Sequence, residues 1–158
     1  MKEGFFMSVE SVKNFFLEKG FENSIIKLEE GSATVDLAAK ALGVEPALIA
    51  KTLSFRLKDR AILIVTKGDA RVDNRKYKDF FKTKAKMLGH DEVAEITGHP
   101  VGGVCPFGLI SPLQVYLDVS LKNYEYVYPA AGSAFTALKI EPLRMQKLTH
   151  AEFIDVCK

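Results

Sequence analysis

Lys51 is the first residue whose type and place could do chemistry. It opens the most legible strand of the chain, Lys51 to Leu57, where strict alternation puts it on one face with Leu53, Phe55 and Leu57. An unpaired ammonium is costly to bury, so this lysine must either snorkel to water from the strand end or line a pocket and meet an anion. The second candidate is the loop Gly98-His99-Pro100-Val101-Gly102-Gly103-Val104-Cys105-Pro106-Phe107-Gly108. Four glycines and two prolines in 11 residues exclude a helix or an ordinary strand. Gly102-Gly103 permits backbone that side-chain-bearing residues avoid, and lets a ligand approach the amides. Such N–H groups can hold a carbonyl oxygen or a phosphate. The alternative is a purely structural crossover. No Gly-Lys-Ser/Thr follows and the dinucleotide spacing fails, so neither nucleotide-loop fingerprint applies.

Cys105 and His99 share that loop, which raises a Cys–His nucleophile pair. Such pairs are defined in space, and no third group is evident to orient the histidine, so a small buried thiol and a packed histidine are the competing readings. The third segment, Pro129 to Ala134, carries small residues at a junction between strands: a plain turn, or a wall kept low for a ligand.

The elements that must position these groups are short. Ser8 reads as the N-cap of a first helix with Val9, Val12, Phe15 and Phe16 on one face and Gly20 beyond its end. A strand over Ser24–Leu28 precedes a helix capped by Thr34, with Val35, Ala38 and Leu42 inward and Gly43 as its stop. Glu45-Pro46 starts a single turn. In the Lys51–Leu57 strand, Thr52, Ser54 and Arg56 are expected to face water. Ala61–Thr66 is apolar on both faces and so central in a sheet. Asp73 caps a basic helix with Tyr77, Phe80 and Phe81 inward. A short strand at Ala85–Leu88, a helical turn at Asp91–Ile96, and strands at Val115–Val119, Tyr124–Tyr128 and Phe135–Ile140 follow. Thr149 is expected to cap a last helix through Phe153 and Val156. Short strands mixed with short helices, without regular alternation, predict an α+β fold on one curved mixed sheet.

Composition narrows the class. The 158 residues are 47% hydrophobic and 27% charged, enough apolar surface for one ordered domain. Residues 8–158 read as that domain and 1–7 as an N-terminal extension, with Met7 as an alternative start. The longest apolar run, Ala61 to Val65, is far short of the ~20 residues of a membrane span, and no signal peptide is evident. Two cysteines make no framework, so reduced thiols in a cytoplasm are the default. The three histidines are scattered, and no metal or cofactor is expected. The net charge of +2 hides a segment, Lys67 to Lys86, with eight Lys or Arg against three Asp. One basic patch on a slightly acidic body suits a polyanion binder, or is simply a solvated helix face.

Taken in order, Lys51-Thr52-Leu53 opening a strand, the Gly98–Gly108 run with its GGxxPxG core, and Ala131-Gly132-Ser133 before Phe135–Ile140 resemble the YbaK family of aminoacyl-tRNA deacylases. That family includes free-standing Cys-tRNA(Pro) and Ala-tRNA(Pro) deacylases and the editing domain inserted in bacterial prolyl-tRNA synthetases. The resemblance runs from about Ser8 to the end. It implies a barrel-like curved sheet wrapped by short helices, and a pocket closed by Lys51, Gly102, Gly103 and Gly132. Lys51 would hold the 3′-terminal adenosine or its phosphate, a task suited to a point charge on a flexible stem. The Gly102 and Gly103 backbone would fix the ester carbonyl. His99, Val101, Pro106, Phe107, Gly108, Gly132 and Ser133 would contact substrate. The resemblance implies no protein nucleophile: water, helped by the terminal ribose hydroxyl, or the substrate's own thiol attacks. Synthetase editing domains carry Gly-Ser-His at the later turn, where this chain has Gly132-Ser133-Ala134. The histidine that helps select alanine is absent, leaving Cys, Ser, Thr or a small non-protein amino acid.

On this reading, Arg71, Arg75, Lys76, Lys78 and Lys82, with Lys84 and Lys86, would track tRNA phosphates. The expected partners are aminoacyl-tRNA, above all tRNA(Pro), and prolyl-tRNA synthetase. The competing readings are a non-catalytic adaptor that binds a tRNA acceptor end or a nucleotide, and a hydrolase using Cys105.

Overall fold

Ile62, Leu63, Ile64 and Val65 are all fully buried, and they make β3 (Ala61–Lys67) the centre of the molecule. A strand apolar on both faces needs cover on both, and here it has it. The computed structural model describes residues 2–21, 25–31 and 34–158, with side chains from residue 8 onward. β3 pairs antiparallel with β2 (Ile49–Arg56), Lys51 opposite Thr66 and Phe55 opposite Ile62. On its other side β3 runs parallel to β4 (Gln114–Asp118), which runs parallel to β7 (Glu152–Ile154). β5 (Tyr128–Pro129) lies parallel to the first two residues of β2. Bridges Ala130–Ala137 and Val127–Ile140 lead from β5 to β6 (Thr136–Ala137), which pairs with β1 (Ile26–Lys27). The fold is α+β on a mixed five-stranded sheet with a two-stranded annex. No pairing joins its outer ends among the described residues.

One face of the sheet, with Leu63, Val65 and Leu117, packs against α1 (Lys2–Glu18) through Val12 and Phe16 and against Cys105, Phe107 and Leu138. The other face, with Ile62, Ile64 and Tyr116, is covered by α3 (Asn74–Phe81) through Tyr77, which is fully buried. Each such apolar side chain is worth roughly 1.5–3 kcal/mol on burial. Asp73 caps α3 by accepting from the Arg75 and Lys76 amides at 3.0 and 3.1 Å. Phe80 is 42% exposed. It lies on the flank of α3, about 60° of helical turn from Tyr77, yet its ring still meets Phe81 and Tyr116 of β4 edge-on, at centroid distances of 4.8 and 5.9 Å.

Several local expectations are corrected. Ser8 is interior to α1 rather than its cap, because the helix already starts at Lys2 and the Ser8 hydroxyl is engaged with His99. The backbone of residues 2–7 continues that helix, while their side chains, including that of Met7, lie outside the described residues, as does Met1. Ser24 also lies outside them, and β1 is two residues long. The 85–88 strand reduces to one bridge, Phe55–Met87. The 124–128 and 135–140 strands shrink to β5 and β6 with bridges between them. At the end of the chain the order is reversed. α5 (Pro142–Thr149) begins at Pro142, its Thr149 hydroxyl bonds back to the Met145 carbonyl at 2.8 Å, and β7 follows. Pro142 at the first helical position was the usable signal.

Candidate functional site

The outer edge of β2 is covered at both ends and open between. Tyr128 and Pro129 pair with Ile49 and Ala50. Farther along, the Leu88 amide donates to the Ser54 carbonyl at 3.1 Å and the Arg56 amide to the Lys86 carbonyl at 2.7 Å. Strand alternation then turns the Thr52 N–H and C=O outward too, and among the described residues no strand pairs with them. A cavity of about 270 Å³ opens against this gap.

Three elements wall it. α2 (Val35–Leu42) contributes Val35, Ala38 and Leu42; it is set by Thr34, whose hydroxyl accepts from the Leu37 amide at 3.2 Å, and stopped by Gly43 at φ +70°. α4 (His90–Thr97) contributes His90 and Val93. Glu92 fastens its first turn by accepting from the Gly89 amide at 3.3 Å and pairing with Arg56 of β2. The Gly89 amide, then Arg56, hold the Glu92 carboxyl below the usual carboxylate range. The third wall is the glycine loop, through Val101, Gly102 and Val104.

That loop is shaped by its own bonds. The Gly103 amide closes a turn onto the Pro100 carbonyl at 2.9 Å, with Gly102 at φ +91°. Gly103 is buried behind Gly102, and its carbonyl accepts from the Gly132 amide at 3.2 Å. A Cβ on Gly103 would run into the backbone of Ser133 and Gly132. The two glycine turns thus stand back to back, and only a residue without a side chain allows it.

Lys51 lines the cavity and is half-buried; its ammonium donates to the Ala70 carbonyl at 2.5 Å. Burial lowers its pKa, against the opposing pull of Cys157 and Asp69. Thr52 also lines the cavity, and its buried hydroxyl has no hydrogen-bond partner among the described residues. The expectation that Thr52 and Ser54 face water is corrected here. Ser54 is buried, because loops roof this face of β2 and enclose the cavity.

The structure therefore brings Lys51, Val101 and Gly102 together on the cavity. The remaining sequence candidates stand behind it. Phe107 is fully buried, 4.8 Å from the Phe16 ring and 5.7 Å from Phe15, and Pro106 is buried beside it. Gly108 and Gly132, at φ +60° and +98°, press on the α1 backbone near Ser11 and Ser8. Ser133 is fully buried and bonds the Thr136 hydroxyl and the Phe135 amide. His99 is fully buried with both ring nitrogens engaged, and burial lowers its pKa. Cys105 is fully buried and its thiol is pushed up to about 12, so it carries no thiolate at neutral pH.

The basic candidates lie apart from the cavity walls. Arg71, Arg75, Lys78 and Lys82 are exposed, as are Lys84 and Lys86. Lys76 is committed: its ammonium donates to Asp155 at 3.0 Å and to the Cys157 carbonyl at 2.9 Å, and Asp155 raises its pKa. The walls from α2 and α4, and the Thr52 hydroxyl, were not found by sequence reasoning. Only the Lys51-Thr52-Leu53 run pointed nearby.

This geometry has relatives. An uncharacterized protein of Bacillus subtilis, YwhH, is 47% identical over 154 residues, covering 96% of this chain and 98% of that protein. A proline--tRNA ligase of Bacillus licheniformis is 31% identical over 118 residues, 74% of this chain and 20% of the ligase. A crystal structure described as "a putative trans-editing enzyme for prolyl tRNA synthetase" superposes with a TM-score of 0.88 at 30% identity, covering 96% of this chain and 97% of that one. Residues 29–148, which hold the open strand edge and both glycine turns, match the model of the aminoacyl-tRNA editing domain. By that match and that architecture, this chain belongs to the aminoacyl-tRNA editing domain family.

Proposed function

We propose that this protein is a trans-acting deacylase that hydrolyses the ester of a mischarged aminoacyl-tRNA, with tRNA(Pro) carrying cysteine or another small amino acid as its substrate. The observation that carries this reading is the cavity where Lys51, the Thr52 edge and the Gly102 turn converge. Its volume, about 270 Å³, is at the low end of ligand pockets (~300–1,000 Å³), which favours a small acyl group. Exposed backbone donors at the Gly102 turn and the Thr52 edge can hold the ester carbonyl and the negative charge that grows on it. The Lys51 ammonium sits on the protein's own Ala70 carbonyl and can exchange that acceptor for a terminal phosphate or ribose oxygen.

No protein nucleophile is invoked, because Cys105 is buried and protonated. Water, positioned by the terminal ribose hydroxyl, or the thiol of a cysteinyl substrate, attacks the carbonyl carbon. The ester C–O bond breaks and its oxygen leaves as the ribose hydroxyl after taking up a proton. Positioning is sufficient help for an ester already activated. The exposed cations Arg71, Arg75, Lys78 and Lys82 supply salt-sensitive affinity for the acceptor-stem phosphates.

The test is amino-acid release from tRNA(Pro) charged with Cys, Ala, Ser, Thr or 2-aminobutyrate. Wild type should release one of these well above the spontaneous rate. Lys51→Ala should abolish release and Cys105→Ser should retain it. Loss in Cys105→Ser would favour a cysteine hydrolase. No release by wild type from any substrate would refute the reading and favour a non-catalytic acceptor-end adaptor.

A further inference from the structure

The glycine loop is held from behind by a chain of buried polar groups that the deacylation chemistry above does not use. Ser8 of α1 and His99 are 2% and 0% exposed, and the Ser8 hydroxyl lies 2.5 Å from His99 Nδ1. On the other side of the ring, Nε2 lies 2.7 Å from the Phe107 carbonyl oxygen. A carbonyl can only accept, so Nε2 carries the proton and donates it there. Nδ1 of the neutral ring is then an acceptor, and Ser8 must donate to it. One imidazole thereby ties residue 99, at the start of the loop, to residue 107, near its end, and ties both to the N-terminal helix.

Independent packing contacts point the same way. A Cβ on Gly108 would meet the Ser11 carbonyl and the Val12 amide nitrogen, and one on Gly132 the Ser8 carbonyl and the Val9 amide nitrogen. The stretch of α1 that carries Ser8 is therefore pressed against Gly108 at the end of the glycine loop and against the Gly132 turn. The start of the loop is also pinned to α4: the Thr97 hydroxyl accepts from the His99 amide at 3.0 Å and donates to the Val93 carbonyl at 2.7 Å. The stretch between the two fastened ends, itself held at Gly103 by its bonds to Pro100 and Gly132, contains Val101, Gly102 and Val104, which line the cavity.

We propose that Ser8 and His99 are positioning residues for editing: the Ser8–His99–Phe107 chain fixes the span of the glycine loop and so sets the Gly102 backbone against the substrate carbonyl. The proposal rests on the deacylase reading for its kinetic consequence, and on geometry alone for its structural one. It makes the N-terminal helix part of the site although none of its described side chains lines the cavity. The neutral ring is required. The groups facing it are Ser8 from α1 and Cys105 and the Phe107 carbonyl from the loop, with no carboxylate among these described groups to stabilise a protonated ring.

Two measurements test it. The first is deacylation kinetics of wild type, Ser8→Ala and Ser8→Thr. Ser8→Ala should lower kcat tenfold or more with KM within twofold, and should shift the acid limb of the kcat profile upward in pH, because the ring loses the donor that favours its neutral form. Ser8→Thr, which keeps the hydroxyl, should recover most of kcat. A wild-type kcat in Ser8→Ala, or equal losses in both variants, would overturn the proposal. The second uses wild type alone and needs no activity: the His99 ring is read by nitrogen NMR, together with hydrogen exchange at the Gly102 and Gly103 amides. The expected result is a slowly exchanging Nε2–H with an unprotonated Nδ1, and loop exchange that accelerates as the ring is titrated. An Nδ1–H tautomer, or loop exchange indifferent to the ring's protonation, would overturn it even if the variants fail to fold. Failure of wild type to deacylate any substrate would instead refute the deacylase reading, and the NMR result would still decide the lock.

Discussion

Replacing Gly103 with alanine should damage the site through a collision that no rotamer can relieve. The φ of Gly103 is not in the left-handed region, so its backbone carries no strain of that kind. The added Cβ would instead fall on backbone atoms of Ser133 and Gly132, and one of the two glycine turns must move. Overpacking of this sort costs ~1–3 kcal/mol, and a clash with backbone belongs near the upper end. For a chain of this size each kcal/mol lowers Tm by roughly 2–4 °C, so the variant should melt about 4–12 °C below wild type. The Gly132–Gly103 hydrogen bond should be lost and Gly102 displaced, and a displacement near 1 Å can lower turnover ~10²-fold. Gly43→Ala is the control. Gly43 is at φ +70° with open space where a Cβ would go, so it carries backbone strain of about 1–2 kcal/mol and no collision. Thermal melts by circular dichroism and amino-acid release from charged tRNA(Pro) should separate the two. Both variants melt early, but only Gly103→Ala loses activity. A Gly103→Ala protein that melts within 2 °C of wild type and deacylates normally would refute the argument.

Three further outcomes are expected. Thr52→Val removes a buried hydroxyl without a partner, so urea unfolding should show equal or greater stability, by up to ~1 kcal/mol, while kcat/KM falls; a clear loss of stability would mean the hydroxyl is already bonded. Alanine at Arg75 or Lys78 should each reduce the slope of log affinity against log salt by ~0.7–0.9, whereas Lys76→Ala, whose ammonium serves Asp155 and Cys157, should leave the slope unchanged in filter binding between 50 and 200 mM salt. Burial depresses the His99 pKa, so below about pH 6.5 the unfolded chain binds a proton that the folded chain refuses. Its contribution to stability is therefore complete above that value and is lost as pH falls toward the lower folded one. Melting curves from pH 7.5 to 5 should show the decline, and a titration of His99 at or above 6.5 would contradict it.

Much of the scaffold was legible because local rules and tertiary packing agree there. The Thr34 cap, the Gly43 stop, the Asp73 cap and the two-faced apolar β3 read the same way in sequence and structure. Ser8 misled because its side chain answers a distant histidine rather than its own helix end, a partner 91 residues away that no local pattern records. Thr52 and Ser54 misled for a related reason. Alternation tells which residues share a face but not whether that face meets water, and here loops roof it. The site was legible where it depends on backbone freedom, at the glycine turns, and on the lone lysine among apolar neighbours. The walls from α2 and α4 were not, because ordinary apolar residues such as Ala38 and Val93 line a cavity with the same chemistry they would use in a core.

The broken edge of β2 also bears on solubility. A long unpaired strand edge is a template on which another chain can add itself. Here the outermost strands, β1 and β7, are two and three residues long, and the outer edge of β2 is capped by β5 at one end and by the Met87 bridge at the other. What remains open is a notch centred on Thr52, too narrow for an invading strand to find a register. The protein can thus leave main-chain donors and acceptors bare for a small guest without inviting its own copies to assemble upon them.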